Sequence, residues 1–367
     1  MLLVLILFAG LVSLIQVVYL GRYLYAFRHR QSGETTNTPP VSVVVCAHDE
    51  EANLRELLPL LLTQDYPDFE VIVVEDRCND GTYDYLLEAT RVHPQLRMVR
   101  VKYLPEHVTG KKYALTLGVK AATHEWVLLT DADCRPVGQQ WIRSMAGGMT
   151  ADKEIVLGYS PYERKPGFLN TFIRFESLIT ATQFVGRALL GTPYMGTGRN
   201  LAYRKALFLN NKGFHDHLGV TGGDDDLFVN RHASRDNTSV CLGEASLMRS
   251  LPETTWSNFL HQKKRHLSVG KYYRWRDRWT LGVFTLTWIF SWMLLPCTLL
   301  PETVGYGAWT GFLARSFLLT WLVHRASRRM GEPFEAWKTP LLDFNYAIYY
   351  LGTGLSALVS KRIRWKN

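Results

Sequence analysis

The sequence predicts an α/β protein with a doubly wound, mostly parallel sheet, an N-terminal transmembrane helix and C-terminal membrane helices. Between residues 41 and 130, short β-rich apolar runs alternate with segments of helical spacing, which is typical of parallel sheets covered by helices. Both ends of the chain are apolar, with basic residues beside the apolar runs. We therefore expect an anchor (1–30), a linker (31–40), a soluble domain (41–270) and a membrane region (271–367).

The N-terminal run, residues 1–20, carries no charge and is long enough to cross a bilayer core. No basic segment precedes it and no small-residue cleavage site follows, so a retained anchor is favoured over a cleaved signal peptide. Arg22, Arg28 and Arg30 follow it, and the positive-inside rule places basic flanks in the cytoplasm. We therefore expect an integral protein of the cytoplasmic membrane whose soluble domain lies in the cytoplasm.

The C-terminal part contains three apolar stretches, at 281–300, 305–323 and 340–360. The first two are predicted to cross the membrane, although Arg315 near the middle of the second is costly there unless it faces protein or reaches the interface. The third is followed by the basic residues of 361–366, which a full crossing would place on the wrong side. For that stretch we predict an interfacial or re-entrant helix.

Charge and cysteine usage exclude several classes of protein. The net charge of +9 is compatible with nucleic acid binding, but the basic residues cluster beside apolar segments, which favours a membrane surface over nucleic acid. The five cysteines are scattered without a C-x-x-C pair, so neither a disulfide framework nor a zinc site is indicated. The pattern fits a reducing cytoplasm.

The soluble domain begins with four predicted strands separated by three predicted helices. In such sheets, ligands bind beyond the carboxyl ends of the strands. The predicted strands are 41–47, 69–74, 98–103 and 126–130, and the predicted helices are 51–63, 83–93 and 111–122.

Acidic residues follow three of these strands: Glu50, Asp76 and the pair Asp131 and Asp133. Residues two apart on a strand point to the same side, and two close carboxylates repel unless a cation lies between them. Mg²⁺ and Mn²⁺ prefer such oxygens and keep positions open for phosphate. An isolated pair of this kind is more often a solvated turn, but three acidic strand ends at one edge favour a metal–diphosphate site.

Two other phosphate-binding motifs are absent from the sequence. No G-x-G-x-x-G follows the first strand, and Gly110-Lys111-Lys112 lacks the Ser or Thr of a Walker A motif. Without a glycine-rich loop, the carboxylates and a metal ion must hold the phosphates.

With these residues in place, the sequence over about 40–270 resembles the family 2 glycosyltransferases, inverting enzymes of the GT-A fold that use nucleotide-sugar donors. The resemblance rests on the order and spacing of the motifs, and the flanking apolar segments resemble those of membrane-anchored members. The matching motifs are VSVVVCAHDE at 41–50, QDYP at 64–67, EVIVVED at 70–76, DGT at 80–82, GK at 110–111, DAD at 131–133, GTGRN at 196–200, GDDDL at 223–227 and QKKRH at 262–266.

The resemblance implies roles on the donor side of the site. Asp76 matches the acidic residue that binds the uracil or ribose of the donor, and Glu50 is assigned to the same donor site. Asp131 and Asp133 match the metal pair, which holds Mg²⁺ or Mn²⁺, and Lys111 matches a lysine near the donor. Two simpler alternatives remain: Asp76 as a cap on the turn at 79–81, and Lys111 as a solvated residue at a helix start.

The second acidic motif, 223–227, resembles the pattern E-D-x-D-L that supplies the general base. Aligned on Asp226, the base is Asp224, with Asp225 as the second candidate, while Gly223 stands where the family has glutamate. The alternative is that some of these carboxylates complement the dipole of a helix N-terminus.

Residues 262–266 resemble Q-x-x-R-W, with His266 in place of the tryptophan. The resemblance assigns Arg265, with Lys264 as a second candidate, to the leaving diphosphate and Gln262 to the donor site, and the loss of the tryptophan argues against a processive synthase. The alternative is a basic juxtamembrane helix on anionic lipid. The glycine-rich segment 195–200 is assigned to the acceptor side, with a plain turn as its alternative.

The sequence therefore predicts a metal-dependent, inverting glycosyltransferase at the cytoplasmic face. Its expected donor is a UDP-sugar, and its expected acceptor is lipid-linked or membrane-proximal. Three alternatives stay open: a synthase of a short polysaccharide, a catalytically inactive nucleotide-sugar-binding scaffold, and a membrane-bound nucleotidyltransferase that releases pyrophosphate.

Overall fold

A computed structural model describes residues 2–28, 38–106, 108–220, 222–296 and 302–359. Most of the predicted linker lies outside the described residues. So do Cys297 and the basic residues at 361–366, on which the predicted direction of the last helix depends.

The chain alternates strands and helices up to β4 and becomes mainly helical towards its C-terminus. The elements are α1 (Leu2–Ala26), β1 (Val41–Ala47), α2 (Glu51–Leu62), β2 (Phe69–Asp76), α3 (Thr82–Val92), β3 (Leu96–Val101), α4 (Gly110–Ala121), β4 (Trp126–Asp131), β5 (Cys134–Pro136), α5 (Trp141–Ala146), β6 (Ile155–Leu157), α6 (Phe168–Leu189), β7 (Leu201–Arg204), α7 (Lys205–Asn210), α8 (Asp226–His232), β8 (Thr238–Val240), β9 (Met248–Ser250), α9 (Trp256–Val269), α10 (Trp275–Met293), α11 (Glu302–Arg329) and α12 (Thr339–Val359).

The strands form a seven-stranded sheet in the order β3-β2-β1-β4-β7-β6-β8, and β5 pairs with β9 in a small second sheet. β1, β2, β3 and β4 are parallel to one another, as are β6 and β8, whereas β7 runs antiparallel to both of its neighbours. The predicted α/β class with a doubly wound, mostly parallel sheet is confirmed. The seven elements predicted between 41 and 130 are all present, with ends within two residues of the prediction.

Helices cover both faces of the sheet, which explains why β1 is apolar at almost every position. Val43 and Val45 pack with Leu54 and Leu58 of α2 on one face. Val44 belongs to the core on the other face, together with α4 and α6. The carboxyl ends of the parallel strands are therefore the part of the sheet that stays accessible to a ligand.

α1 is the one helix in the described residues that is long and apolar enough to cross a membrane, over Val4–Ala26 with a mean hydropathy of 2.4. It packs against α10 and α11. The described parts of α10, α11 and α12 fall short of that apolarity, so their crossing of a bilayer stays a prediction.

Two of the C-terminal helices differ in extent from the predicted stretches. α10 begins at Trp275, and α11 continues without a break to Arg329. The basic residues predicted to follow a span therefore form the last turns of α11.

Arg315 in α11 is buried and pairs with Asp343 in α12 through both of its terminal nitrogens. Its guanidinium also lies 4.7 Å from the ring centroid of Trp288 in α10. The charge that the sequence places in the middle of an apolar helix is thus compensated by protein, and it ties three helices together.

Candidate active site

One cleft of about 2070 Å³ opens at the carboxyl ends of β1, β2 and β4. The parallel register sets Ala47 beside Glu75 and Cys46 beside Asp131, so the three acidic strand ends lie level with one another. All residues with a sequence-predicted role except Lys264 line this cleft: Glu50, Asp76, Lys111, Asp131, Asp133, Asp224, Asp225, Gln262 and Arg265.

The pair Asp131 and Asp133 lies where β4 ends. Oδ1 of Asp131 accepts a hydrogen bond of 2.9 Å from the Lys111 ammonium group. Burial alone would raise the pKa of Asp131, but Lys111 holds it below its ordinary value. Burial and the charge of Asp131 raise the pKa of Asp133, whose carboxylate accepts, among the described residues, one long hydrogen bond from the Cys134 thiol, at 3.5 Å. Two oxygen donors with an uncompensated charge suit a divalent cation.

Lys111 stands in the first turn of α4 and bridges two carboxylates that are far apart in sequence. Its nitrogen lies 2.9 Å from Asp131 and 3.4 Å from Oδ2 of Asp224. Burial alone would lower the pKa of Lys111, but the surrounding carboxylates raise it well above its ordinary value. The alternative of a solvated lysine does not describe this ion-paired residue.

The three carboxylates of 224–226 have different surroundings. Asp225 caps α8: it accepts hydrogen bonds from the backbone N–H groups of Gly198 at 2.6 Å and Asp226 at 2.7 Å. Asp226 accepts a hydrogen bond of 2.7 Å from the Tyr273 hydroxyl. Asp224 is buried, lines the cleft and faces Lys111. The helix-terminus alternative therefore accounts for Asp225 but not for Asp224.

Gly223 stands where the family pattern has glutamate, and the backbone conformation at this position explains the glycine. Gly223 has φ = +76° and the preceding Gly222 has φ = +85°, a conformation that side chains with a Cβ rarely adopt. A Cβ at Gly223 would also lie 2.5 Å from Cδ1 of Leu227. Two glycines thus form the turn that directs Asp224 into the cleft.

Asp76, the last residue of β2, is paired with its own neighbour. Arg77 donates from Nε to Oδ1 at 2.8 Å and from Nη2 to Oδ2 at 3.2 Å. The turn that follows is capped instead by Asp49, whose Oδ1 accepts from the backbone N–H of Asn79 at 2.6 Å, and by Asp80. The turn-cap alternative for Asp76 is therefore wrong. Arg77, with φ = +55°, was not predicted from the sequence.

The rim of the cleft holds a second acidic group, formed by Asp49, Cys78 and Asp80. Oδ1 of Asp49 and both oxygens of Asp80 accept hydrogen bonds from backbone N–H groups of the surrounding loops. These carboxylates therefore build the loop, which leaves Asp131 and Asp133 as the better metal candidates.

The helix α9 brings its motif to the opposite wall. Gln262 accepts a hydrogen bond of 3.2 Å from the Tyr162 hydroxyl, and Arg265 lies close enough to Asp224 and Asp131 for their charges to act on it. The enclosing protein lowers the pKa of His266 well below its ordinary value, and Lys263 and Arg265 lower it further. His266 is therefore neutral near pH 7.

A further cation, Arg199, lines the cleft and was not assigned a role from the sequence. Its guanidinium lies 4.6 Å from the ring centroid of Tyr162, and its buried Nη1 has no hydrogen-bond partner among the described residues. Its charge lowers the pKa of both Asp131 and Asp133. The segment 196–200 therefore supplies a buried charge to the site, which a plain turn would not.

This geometry can be compared with known proteins. Residues 42–210 match the model of glycosyl transferase family 2. The chain is similar to that family. It is 28% identical over 189 residues to the 4,4'-diaponeurosporenoate glycosyltransferase of Staphylococcus haemolyticus, which is 48% of each chain. It is also 28% identical over 128 residues to the beta-monoglucosyldiacylglycerol synthase of Trichormus variabilis, covering 34% of this chain and 27% of the relative.

The likeness of fold extends beyond the matched residues. The mannosyltransferase PcManGT from Pyrobaculum calidifontis, solved with GDP-Man and Mn²⁺, superimposes with a TM-score of 0.64 at 17% identity and covers 99% of this chain and 100% of that one. This likeness confirms the GT-A type of fold. The chain matches about half the length, or less, of the curated relatives named above.

Proposed function

We propose that this chain is an inverting glycosyltransferase of family 2. It moves a sugar from a nucleoside diphosphate sugar, with UDP as the expected nucleotide, to a lipid-linked or membrane-proximal acceptor. One observation carries the proposal: Asp224 meets the distant pair Asp131 and Asp133 in one cleft, and Lys111 joins Asp224 to Asp131.

The donor side of the site is built from β2 and β4. Asp76 would receive hydrogen bonds from the base or ribose, because each carboxylate oxygen can accept more than the one bond that Arg77 supplies. Asp131 and Asp133 would hold Mg²⁺ or Mn²⁺, which neutralises the diphosphate when bound. The raised pKa of Asp133 and its lack of a cation partner among the described residues support this metal assignment.

The cations of the cleft suit the leaving group. Arg199 and Arg265 line the cleft beside the carboxylate pair. Preorganised cations stabilise the charge that develops on a diphosphate as its bond to the sugar breaks. Glu50 and Gln262 also line the cleft and would orient the donor.

The acceptor hydroxyl would approach Asp224. As its oxygen attacks the anomeric carbon from the side opposite the diphosphate, its proton passes to the carboxylate. Asp225 is less suited to this role because its two oxygens bind the N–H groups of Gly198 and Asp226.

The apolar helix α1 supports a membrane location. The basic residues after it favour a site at the cytoplasmic face. The name of one relative, a monoglucosyldiacylglycerol synthase, fits a lipid acceptor.

The test is a transfer assay with the purified full chain, Mn²⁺ or Mg²⁺, a panel of nucleotide sugars and a bacterial lipid extract. We expect release of a nucleoside diphosphate together with a lipid that gains one hexose-type unit in mass. Release of pyrophosphate would indicate nucleotidyl transfer instead. Binding of a nucleotide sugar without any product under all these conditions would indicate an inactive scaffold.

A further inference from the structure

The cleft does not end at the carboxylates but continues between α10 and α12. Its lining changes in character along the way, from acidic to basic to apolar. The acidic part includes Asp131 and Asp224, the basic part Lys271 and Arg278, and the apolar part Leu286, Ile289 and Leu351.

The apolar part, which we call the apolar arm, presents large side chains to open space. Leu286 is 56% exposed and Leu351 is 47% exposed. Uncovered apolar area of this kind is unfavourable in water at about 25 cal/mol per Å², and concave apolar surfaces mark binding sites. An apolar ligand would remove this cost.

The position of the arm relative to α1 indicates which apolar ligand reaches it. The Phe8 and Phe290 rings lie 5.4 Å apart, and the Tyr19 hydroxyl donates a hydrogen bond to the carbonyl of Thr280. α1 and α10 therefore run antiparallel, which places Leu286 level with the middle of α1. Because α1 is the helix suited to a bilayer core, a membrane around α1 would place the arm at the depth of lipid tails.

The basic part lies between the arm and the carboxylates. Neither Lys271 nor Arg278 forms an ion pair with a carboxylate among the described residues. Trp275 and Trp279, exposed by 66% and 68%, flank them as aromatic residues do at a membrane interface. These two cations have apolar surface on one side and carboxylates on the other. They suit a phosphate group, which the acidic part itself would repel.

We propose, on the basis of the proposed function, that the acceptor is an anionic lipid. Its tail occupies the apolar arm between α10 and α12, its phosphate binds Lys271 and Arg278, and a hydroxyl of its head group reaches Asp224. That hydroxyl oxygen forms the bond to the anomeric carbon, and its proton passes to Asp224. The bond from the anomeric carbon to the diphosphate breaks, and the nucleoside diphosphate leaves with the electron pair.

Two glycines allow the arm to be tested without disturbing packing. Gly282 lines the arm, and a Cβ there would have no heavy atom within 4 Å. The substitution Gly282→Phe therefore fills the arm rather than the protein core. Gly307 in α11 is equally open but lies outside the cleft, so Gly307→Phe is its matched control.

The charges have a matched control as well. Arg278→Ala together with Lys271→Ala removes the cations that line the basic part. Arg276 is exposed on the same helix but does not line the cleft, so Arg276→Ala removes a cation without touching the proposed phosphate site.

The experiment uses the full chain in phosphatidylcholine nanodiscs with a trace of phosphatidic acid that carries a photoreactive diazirine in one acyl chain. After illumination, mass spectrometry should locate the label in α10 and α12. We expect labelling to fall about ten-fold in the double variant, which loses two charged hydrogen-bond donors, and about as far in Gly282→Phe, whose ring occupies the arm. Gly307→Phe and Arg276→Ala should label like the wild type.

Two further measurements separate the possible outcomes. A diazirine-bearing diacylglycerol with the same chains, which lacks the phosphate, should label about ten-fold less, and free glycerol 3-phosphate should not compete with phosphatidic acid. Equal labelling by both lipids, full competition by glycerol phosphate, or unchanged labelling in Gly282→Phe would each overturn the proposal. Metal-dependent nucleotide binding, measured on the same samples, reports on the proposed function independently of the lipid.

Discussion

The ammonium group of Lys111 lies 3.4 Å from the carboxylate of Asp224, and the same nitrogen is 2.9 Å from Asp131. One cation therefore joins the proposed metal site to the proposed base. Since the three side chains come from α4, the end of β4 and the loop before α8, the fold itself places donor and acceptor chemistry side by side.

Replacing Lys111 by Met removes that cation and leaves two carboxylates unscreened. We expect kcat/KM for transfer to fall about 100-fold, the effect of losing one preorganised charge in an active site. Steady-state kinetics against both substrates would measure it. Lys120→Met, an exposed position on the same helix, should change the rate little. A wild-type rate in Lys111→Met would show that the bridge is not functional.

The two candidate bases can be separated because their contacts differ. Asp224→Asn should lower the transfer rate about 1000-fold, within the range for loss of a general base, while nucleotide binding persists. Asp225→Asn keeps only one of the two acceptor oxygens that bind Gly198 and Asp226, so it should mainly cost one backbone hydrogen bond, about 1 kcal/mol of stability. Measuring the transfer rate, the nucleotide affinity and the unfolding temperature of both variants would show which carboxylate is the base.

A large loss of transfer rate in Asp225→Asn, with a near wild-type rate in Asp224→Asn, would assign the base to Asp225. Loss of nucleotide binding in Asp224→Asn would instead make that residue a donor ligand.

Of the two proposed metal ligands, Asp133 is the clearer one to test, because Asp131 also forms an ion pair with Lys111. Asp133→Ala should remove the dependence of nucleotide binding on Mn²⁺ or Mg²⁺, because a carboxylate oxygen ligand is lost. Calorimetric titration with and without metal measures this. Asp84→Ala on the exposed side of α3 is the control. Metal-dependent affinity equal to that of the wild type in Asp133→Ala would exclude it as a ligand.

The sequence predicts the parallel half of this fold well because β1, β2 and β4 are buried on both faces and are therefore continuously apolar. It misses β5 to β9, which have only three or four residues each and are too short to show a period. The antiparallel direction of β7 depends on tertiary packing and has no local signal.

The site shows the same division. Asp76, Asp131 and Asp224 follow recognisable motifs, whereas Arg77 and Arg199 were missed. Arg77 reaches Asp76 because its backbone has a positive φ. The residue type arginine gives no indication of that conformation in a sequence. Arg199 enters the cleft only because its segment folds back towards Asp133 over the ring of Tyr162.

Glu70 of β2 offers a test of stability against pH. Burial alone would raise the pKa of its carboxyl group, but hydrogen bonds from Ser42 and Thr123, and then Arg97, lower it to about 2. A depressed folded-state pKa stabilises the protein above the ordinary value of 4.5, and the stabilisation is lost as the pH falls towards 2. Glu70→Gln should therefore cost about 2 kcal/mol at pH 7.

The thermal unfolding of wild type and Glu70→Gln, followed from pH 7 down to pH 3, should converge as the pH falls. Glu88→Gln, exposed on α3, should stay within about 0.5 kcal/mol of the wild type at every pH. A constant difference between wild type and Glu70→Gln across this range would show that the carboxylate charge contributes nothing.

The last prediction concerns the buried pair of Arg315 and Asp343, which joins α11 to α12. Asp343→Ala leaves a guanidinium in an apolar setting and should cost about 3–5 kcal/mol, whereas replacing both members, as in Arg315→Met with Asp343→Leu, should cost far less. Thermal unfolding in detergent would measure both variants. If the double variant is as unstable as Asp343→Ala, the pair holds the helices through its specific geometry, and the desolvation argument fails. If Asp343→Ala itself has no effect, Arg315 has reached water or lipid head groups, and the described packing of α11 against α12 is not what compensates its charge.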